Sequence, residues 1–102
     1  MLDDMTLFGF TLRGRLGAET LATLREPLEL DITAGKPGHE LAEAAIGDHA
    51  DLYITEIERH ACWRIEALAA PKAPVDRDAV DAVRTQLLAL LPELGVSWEE
   101  DA

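Results

Sequence analysis

One segment constrains the rest of the chain. Between Pro71 and Gly95, Val80, Val83, Leu87, Leu90, Leu91 and Leu94 recur at the three- and four-residue spacings of a single helical stripe. Asp76 supplies an N-cap, and Asp78 and Asp81 lie near the end where the helix dipole favours carboxylates. Pro92 weakens the last turn and Gly95 can stop it. A helix over 76–91 with one apolar face needs an apolar surface to lie on. Lys72 to Val75, bounded by prolines, is its linker to what precedes.

The preceding segment, 48–70, offers two ways of providing that surface. As a helix, it aligns Ala50, Ile54, Ile57, Ala61, Ile65 and Leu68 on one stripe, with Glu56, Arg59 and Glu66 opposite. Neither Gly nor Pro interrupts it, and Pro71 follows its end. As strands, 52–58 and 61–69 form a β-hairpin, which Tyr53, Ile54, Thr55 and Ile57 favour by propensity. The turn of that hairpin would fall at Arg59-His60, which lack turn chemistry. Periodicity therefore favours the helix.

Glycines cluster in the first half, at positions 9, 14, 17, 35, 38 and 47, which predicts strands and turns first and helices later. Phe8, Phe10 and Leu12 alternate with Gly9, Thr11 and Arg13, so 6–13 reads as a strand. Gly14 to Gly17 turns the chain. A short helix follows over 18–25, with Leu21 and Leu24 on one side and Pro27 ending it. Leu28, Leu30 and Ile32 alternate with Glu29, Asp31 and Thr33, a second strand at 28–33. A loop over 34–38 leads to a short helix over 39–46 that stops at Gly47. The expectation is a small two-layer α+β domain. Its N-terminal strands (6–13, 28–33) pack on a C-terminal helical hairpin (48–70, 76–91); in the alternative, the 52–58/61–69 hairpin enlarges the sheet. One domain over 1–102 fits a chain of 102 residues with one core.

Twenty acidic residues face nine basic ones, a formal charge of -11. That field repels nucleic-acid phosphates and anionic headgroups, so neither nucleic acid nor membrane is expected as a partner. Basic proteins and metal cations are favoured. The single cysteine, Cys62, precludes an intrachain disulfide. Met1-Leu2-Asp3-Asp4 does not resemble a signal peptide, and no apolar run approaches the roughly 20 residues of a membrane span. The expected location is cytoplasmic.

Candidate chemistry is sparse. No cofactor is expected; the alternative is a divalent metal, because on a helix Glu56 and His60 share a face and can ligate one, with His39 and His49 as further ligands from elsewhere in the fold or from a second subunit. His60 and Cys62, two apart on a helix, point away from each other. Arg13, Arg15 and Lys36 are candidate anion ligands, the last beside a glycine-rich turn. Leu52 and Trp63 fall off the main stripe of the 48–70 helix. With Arg59 and Trp98 they make a candidate interface, because tryptophan is enriched where binding energy concentrates. No Ser–His–Asp constellation, paired-cysteine motif or dinucleotide fingerprint is present, which argues against an enzyme. The expected function is that of a small acidic accessory or regulatory protein acting through protein–protein contact as a homodimer, with a basic protein partner as an extension of that reading. The alternatives are a metal-binding protein centred on Glu56 and His60 and a small-ligand-binding domain.

Overall fold

A computed structural model of the chain describes residues 5–15, 17–32, 40–58 and 61–101. The alternating segment near the N-terminus forms β1 (Met5–Arg13), followed by α1 (Ala18–Leu28) and a short β2 (Asp31–Ile32). Three longer strands come next: β3 (Glu40–Ile46), β4 (Ala50–Glu58) and β5 (Cys62–Ala69). The amphipathic segment forms α2 (Arg77–Leu90), passes through a 3-10 turn (Leu91–Leu94), and ends in β6 (Ser97–Glu100). The sheet order is β2-β3-β4-β5-β1-β6, with every pair antiparallel.

One face of this sheet carries the core. Phe8, Phe10 and Leu12 of β1 stand opposite Ala67, Ile65 and Trp63 of β5, and Ile54 and Leu52 of β4 stand opposite Ile65 and Ala67. Ala42, Ala44 and Ile46 extend the same face onto β3. Leu24 and Leu28 of α1, Val80 and Leu87 of α2, and Leu91 close it from above. Burying apolar surface at roughly 25 cal/mol per Å² makes this layer the main source of stability. Among the described residues, no helix lies on the other face. That face presents Thr11, Tyr53, Thr55, Arg64, Glu66 and Leu68, all half-buried, in the polar alternation expected of a two-layer antiparallel sheet.

The α+β class, the strand at 6–13 and the helix at 76–91 stand. Asp76 caps α2 by accepting the Ala79 N–H at 3.2 Å, and Gly95 takes the left-handed conformation (φ 70°) that ends the 3-10 turn begun at Leu91. Segment 48–70 is corrected: it is the hairpin β4–β5, not a helix. The strand pairing puts Leu52, Ile54, Trp63 and Ile65 on one buried face, whereas one helical stripe would leave Leu52 and Trp63 outside. Ala61 N–H donates to the Glu58 carbonyl at 2.9 Å and closes the hairpin without glycine or proline. The segment read as a helix at 39–46 is strand β3, joined to β4 by the turn Gly47-Asp48-His49, with Gly47 at φ 63°.

The strand expected at 28–33 is shorter and later. Pro27 sits inside the last turn of α1, and the helix runs on to Leu28. Glu29, in the left-handed conformation, and Leu30 then donate to the carbonyls of Glu26 and Arg25 at 3.2 and 3.0 Å, which closes the helix as a Schellman motif. Leu28 and Leu30 are buried at this helix end rather than by strand alternation.

Candidate protein-contact surface

The last strand is held by side chains from both faces of the sheet. On the core face, Trp98 stands opposite Leu12 and Glu100 opposite Phe10. The Trp98 ring meets Phe10 edge-on, with centroids 6.0 Å apart. Arg84, on the second half of α2, donates Nε to Glu100 Oε2 at 2.6 Å and Nη2 to Oε1 at 2.5 Å. This fork-to-fork pair is the geometry guanidinium and carboxylate favour.

A second arginine works from the open face. Arg64 of β5 donates to Asp101 Oδ2 at 2.5 Å and Oδ1 at 3.2 Å, and to Thr11 Oγ1 at 2.6 Å. Its Nε lies 3.3 Å from Glu66 Oε1. The hydrogen bond from Arg64 holds the Asp101 carboxyl below its usual range, and that from Arg84 does the same for Glu100. Both guanidiniums are raised in turn, Arg64 first by Asp101 and Arg84 by Glu100.

To reach Asp101 from β5, Arg64 crosses over the backbone of β1, and Gly9 makes the crossing possible. A Cβ at position 9 would sit 2.6 Å from both Arg64 Nη2 and Asp101 Oδ2. Beneath the pair, Asp101 N–H donates to the Gly9 carbonyl at 2.9 Å. An isolated glycine inside an alternating strand is the sequence signal of such an approach. It was the only visible mark of this cluster. Nothing in the local pattern of Val96–Ala102, which reads as an acidic tail, announces a strand.

Beyond the end of β6, a cleft of about 400 Å³ opens between β1 and α2, lined in part by Thr6, Phe8, Arg77, Asp81 and Arg84. Its lining mixes cations and carboxylates and favours no single ligand charge.

The residues singled out from the sequence do not converge on one site. Leu52 and Trp63 are 1% and 0% exposed, so both belong to the core and neither is available to a partner. Trp98 is 36% exposed and keeps a contact surface. Arg13, at the end of β1, and Arg15, in the loop after it, are exposed and lie apart from the 400 Å³ cleft. Glu56 is half-buried in β4 opposite Trp63, so the helical spacing that paired it with His60 does not exist. His49 is exposed in the β3–β4 turn, and Cys62 is buried. Arg59, His60, Lys36 and His39 lie outside the described residues. Among the described residues no group of three or more His, Cys, Asp and Glu side chains is placed to hold a metal ion. No helix among them is long and apolar enough to cross a membrane. Comparison with protein-family models, with curated proteins and with solved structures finds no match to this chain.

Proposed function

We propose that this chain is an acidic accessory or regulatory protein that acts by contact with a basic protein partner. The observation that carries the reading is the distribution of charge. Acidic residues outnumber basic ones by twenty to nine, and two of the arginines, Arg64 and Arg84, already have their guanidiniums engaged by Glu66, Asp101 and Glu100. The field left for a partner is negative, which speeds encounter with a cationic surface and disfavours an anionic one.

The partner in this reading is a different protein, not a second copy. The ground for a homodimer was a second apolar surface around Leu52 and Trp63, and those side chains fill the core. Two copies of a chain at -11 also repel.

Fluorescence polarisation with labelled lysine-rich and glutamate-rich peptides, at several salt concentrations, tests the proposal. The lysine-rich peptide should bind with saturating one-to-one stoichiometry and weaken as salt rises. Equal affinity for both peptides, or no saturation, would overturn it. Native mass spectrometry of the protein alone should give the mass of the monomer, and a dimer would remove the argument against self-association.

A further inference from the structure

The outer edge of the sheet shows how such a partner would be held. The bond from Asp101 N–H to the Gly9 carbonyl fixes the phase of the ladder between β1 and β6. Backbone groups alternate sides along a strand, so those of Ser97 and Glu99 point toward β1, with Arg13 and Thr11 opposite them. The N–H and C=O groups of Trp98 and Glu100 therefore point away from β1, on the side where the sheet has no further strand among the described residues. Such an edge is a template for another chain unless something blunts it. β6 contains neither proline nor lysine, and among the described residues no strand pairs with the two-residue hydrogen-bonding edge on Trp98 and Glu100.

Two side chains along this edge set the chemistry of the occupant. Trp98 presents a partly exposed ring on the core face. Glu99 is exposed on the open face. In antiparallel pairing of β6 with β6 of a second copy, the register that sets Glu100 opposite Glu100 brings Glu99 against Asp101, and the next hydrogen-bonding register sets Glu99 against Glu99; like charges across a strand pair are destabilising. A cationic strand meets the same groups with opposite charge.

We infer that β6 accepts an extended segment of a partner protein as an added strand, and that the segment alternates basic and apolar residues. The apolar residues lie along the face of Trp98, and the basic ones face Glu99. This rests on the reading of a basic protein partner and adds the place and the mode of contact.

A capped peptide alternating lysine and valine is the probe. In the antiparallel arrangement used throughout this sheet, the peptide residue opposite Trp98 aims its amide at β6, so the bonding amides are those of the valines. N-methylation of the valines should abolish binding, and N-methylation of the lysines should leave it intact. Bound peptide should protect the Trp98 and Glu100 amides from hydrogen exchange. Glu99→Lys, at a side chain outside both arginine pairs, should weaken binding by about tenfold without changing stability. Trp98→Ala should weaken it by a similar factor of about ten. If the peptide binds but both methylated forms bind equally, or protection appears elsewhere, the added strand is refuted while the basic-partner reading stands. No binding at low salt refutes both.

Discussion

Replacing Trp63 separates the core assignment from the surface one in a single experiment. The side chain is fully buried, opposite Leu12 on β1 and Glu56 on β4. Its indole N–H has no hydrogen-bond partner among the described residues. Trp63→Ala removes the largest of the fully buried side chains and leaves a cavity beneath the helices. Such truncations cost about 3–5 kcal/mol. A domain of this size is stable by about 5–15 kcal/mol, so the variant loses between a fifth and nearly all of its stability. With a urea m-value of about 1.5 kcal/mol per molar, the midpoint falls by about 2–3 M. Trp63→Phe behaves differently. It keeps a six-membered ring in the same place and deletes a donor whose unpaired burial costs about 1–3 kcal/mol. The pyrrole portion lost is worth a similar amount, roughly 1–3 kcal/mol of burial and packing. The two terms nearly cancel, and the net change should stay within about 1 kcal/mol. Urea denaturation followed by far-ultraviolet circular dichroism measures all three proteins without relying on tryptophan. In Trp63→Phe the remaining tryptophan, Trp98, should give the red-shifted emission of a partly exposed indole. If Trp63→Ala leaves the midpoint unchanged, Trp63 is not in the core. If Trp63→Phe costs as much as Trp63→Ala, the indole N–H has an acceptor and the cancellation argument fails.

Other consequences concern the attachment of β6 and the start of α2. Gly9→Ala places a methyl group 2.6 Å from both Arg64 Nη2 and Asp101 Oδ2, so the ion pair must swing aside. The gain of alanine over glycine in a strand, about 0.5–1 kcal/mol, offsets an exposed pair worth about 1 kcal/mol or less, so global stability should hardly move. Exchange at the Asp101 amide should nevertheless speed up. Acid should loosen the same strand before the rest of the protein. The carboxyls of Glu100 and Asp101 are held below their ordinary values of 4.5 and 3.8, so what they contribute is complete above those values and is lost as pH falls through the lower folded ones. A nuclear magnetic resonance pH titration should show Trp98 and Asp101 signals changing below the ordinary carboxylate range while core signals of Ile65 and Leu87 persist; simultaneous change throughout would refute a locally held β6. Asp76→Ala removes the cap on the Ala79 N–H and should lower stability by about 1 kcal/mol in urea denaturation, against no change for Asp81→Ala.

The elements legible in the sequence are those whose pattern has one solution. Val80, Val83, Leu87 and Leu91 fit a helical stripe and break any alternation, and α2 forms where that stripe lies. Phe8, Phe10 and Leu12 fit only a strand. Segment 48–70 has two solutions because alanine and isoleucine recur densely enough to satisfy both periods. Trp63, Ile65, Ala67 and Ala69 alternate without fault, and Ile57, on the proposed helical stripe, ends up 60% exposed near the hairpin tip. Propensity was the better guide there, because a sheet that already contained β1 gave β-branched and aromatic residues a pleated surface to complete. Alanine misled at 39–46 for a related reason. It favours helices in isolation, yet Ala42 and Ala44 are the small residues that fill the sheet face beneath the core.

The contact surface was harder to read than the fold, for a reason visible in its distances along the chain. Arg64 reaches Asp101 across thirty-seven positions and Arg84 reaches Glu100 across sixteen. Neither pair leaves a local pattern, because a helix stripe or a strand alternation records only where one element faces. Ser97-Trp98-Glu99-Glu100 is a strand because it pairs with the edge of β1 and two arginines hold Glu100 and the following Asp101 from opposite faces. Leu52, Trp63 and Trp98 were marked by the same reasoning, and what separates them is the layer each occupies. Leu52 and Trp63 lie under helices in the middle of the sheet, and Trp98 lies on its last strand, where the core runs out and part of the side chain stays in contact with solvent. In a two-layer domain this small, an aromatic side chain that the core does not finish covering is found at the sheet edge, and the same edge carries the unpaired backbone groups. Hydrogen-bonding capacity and apolar surface therefore coincide at β6, which is what makes an added strand the economical way for this fold to hold a partner.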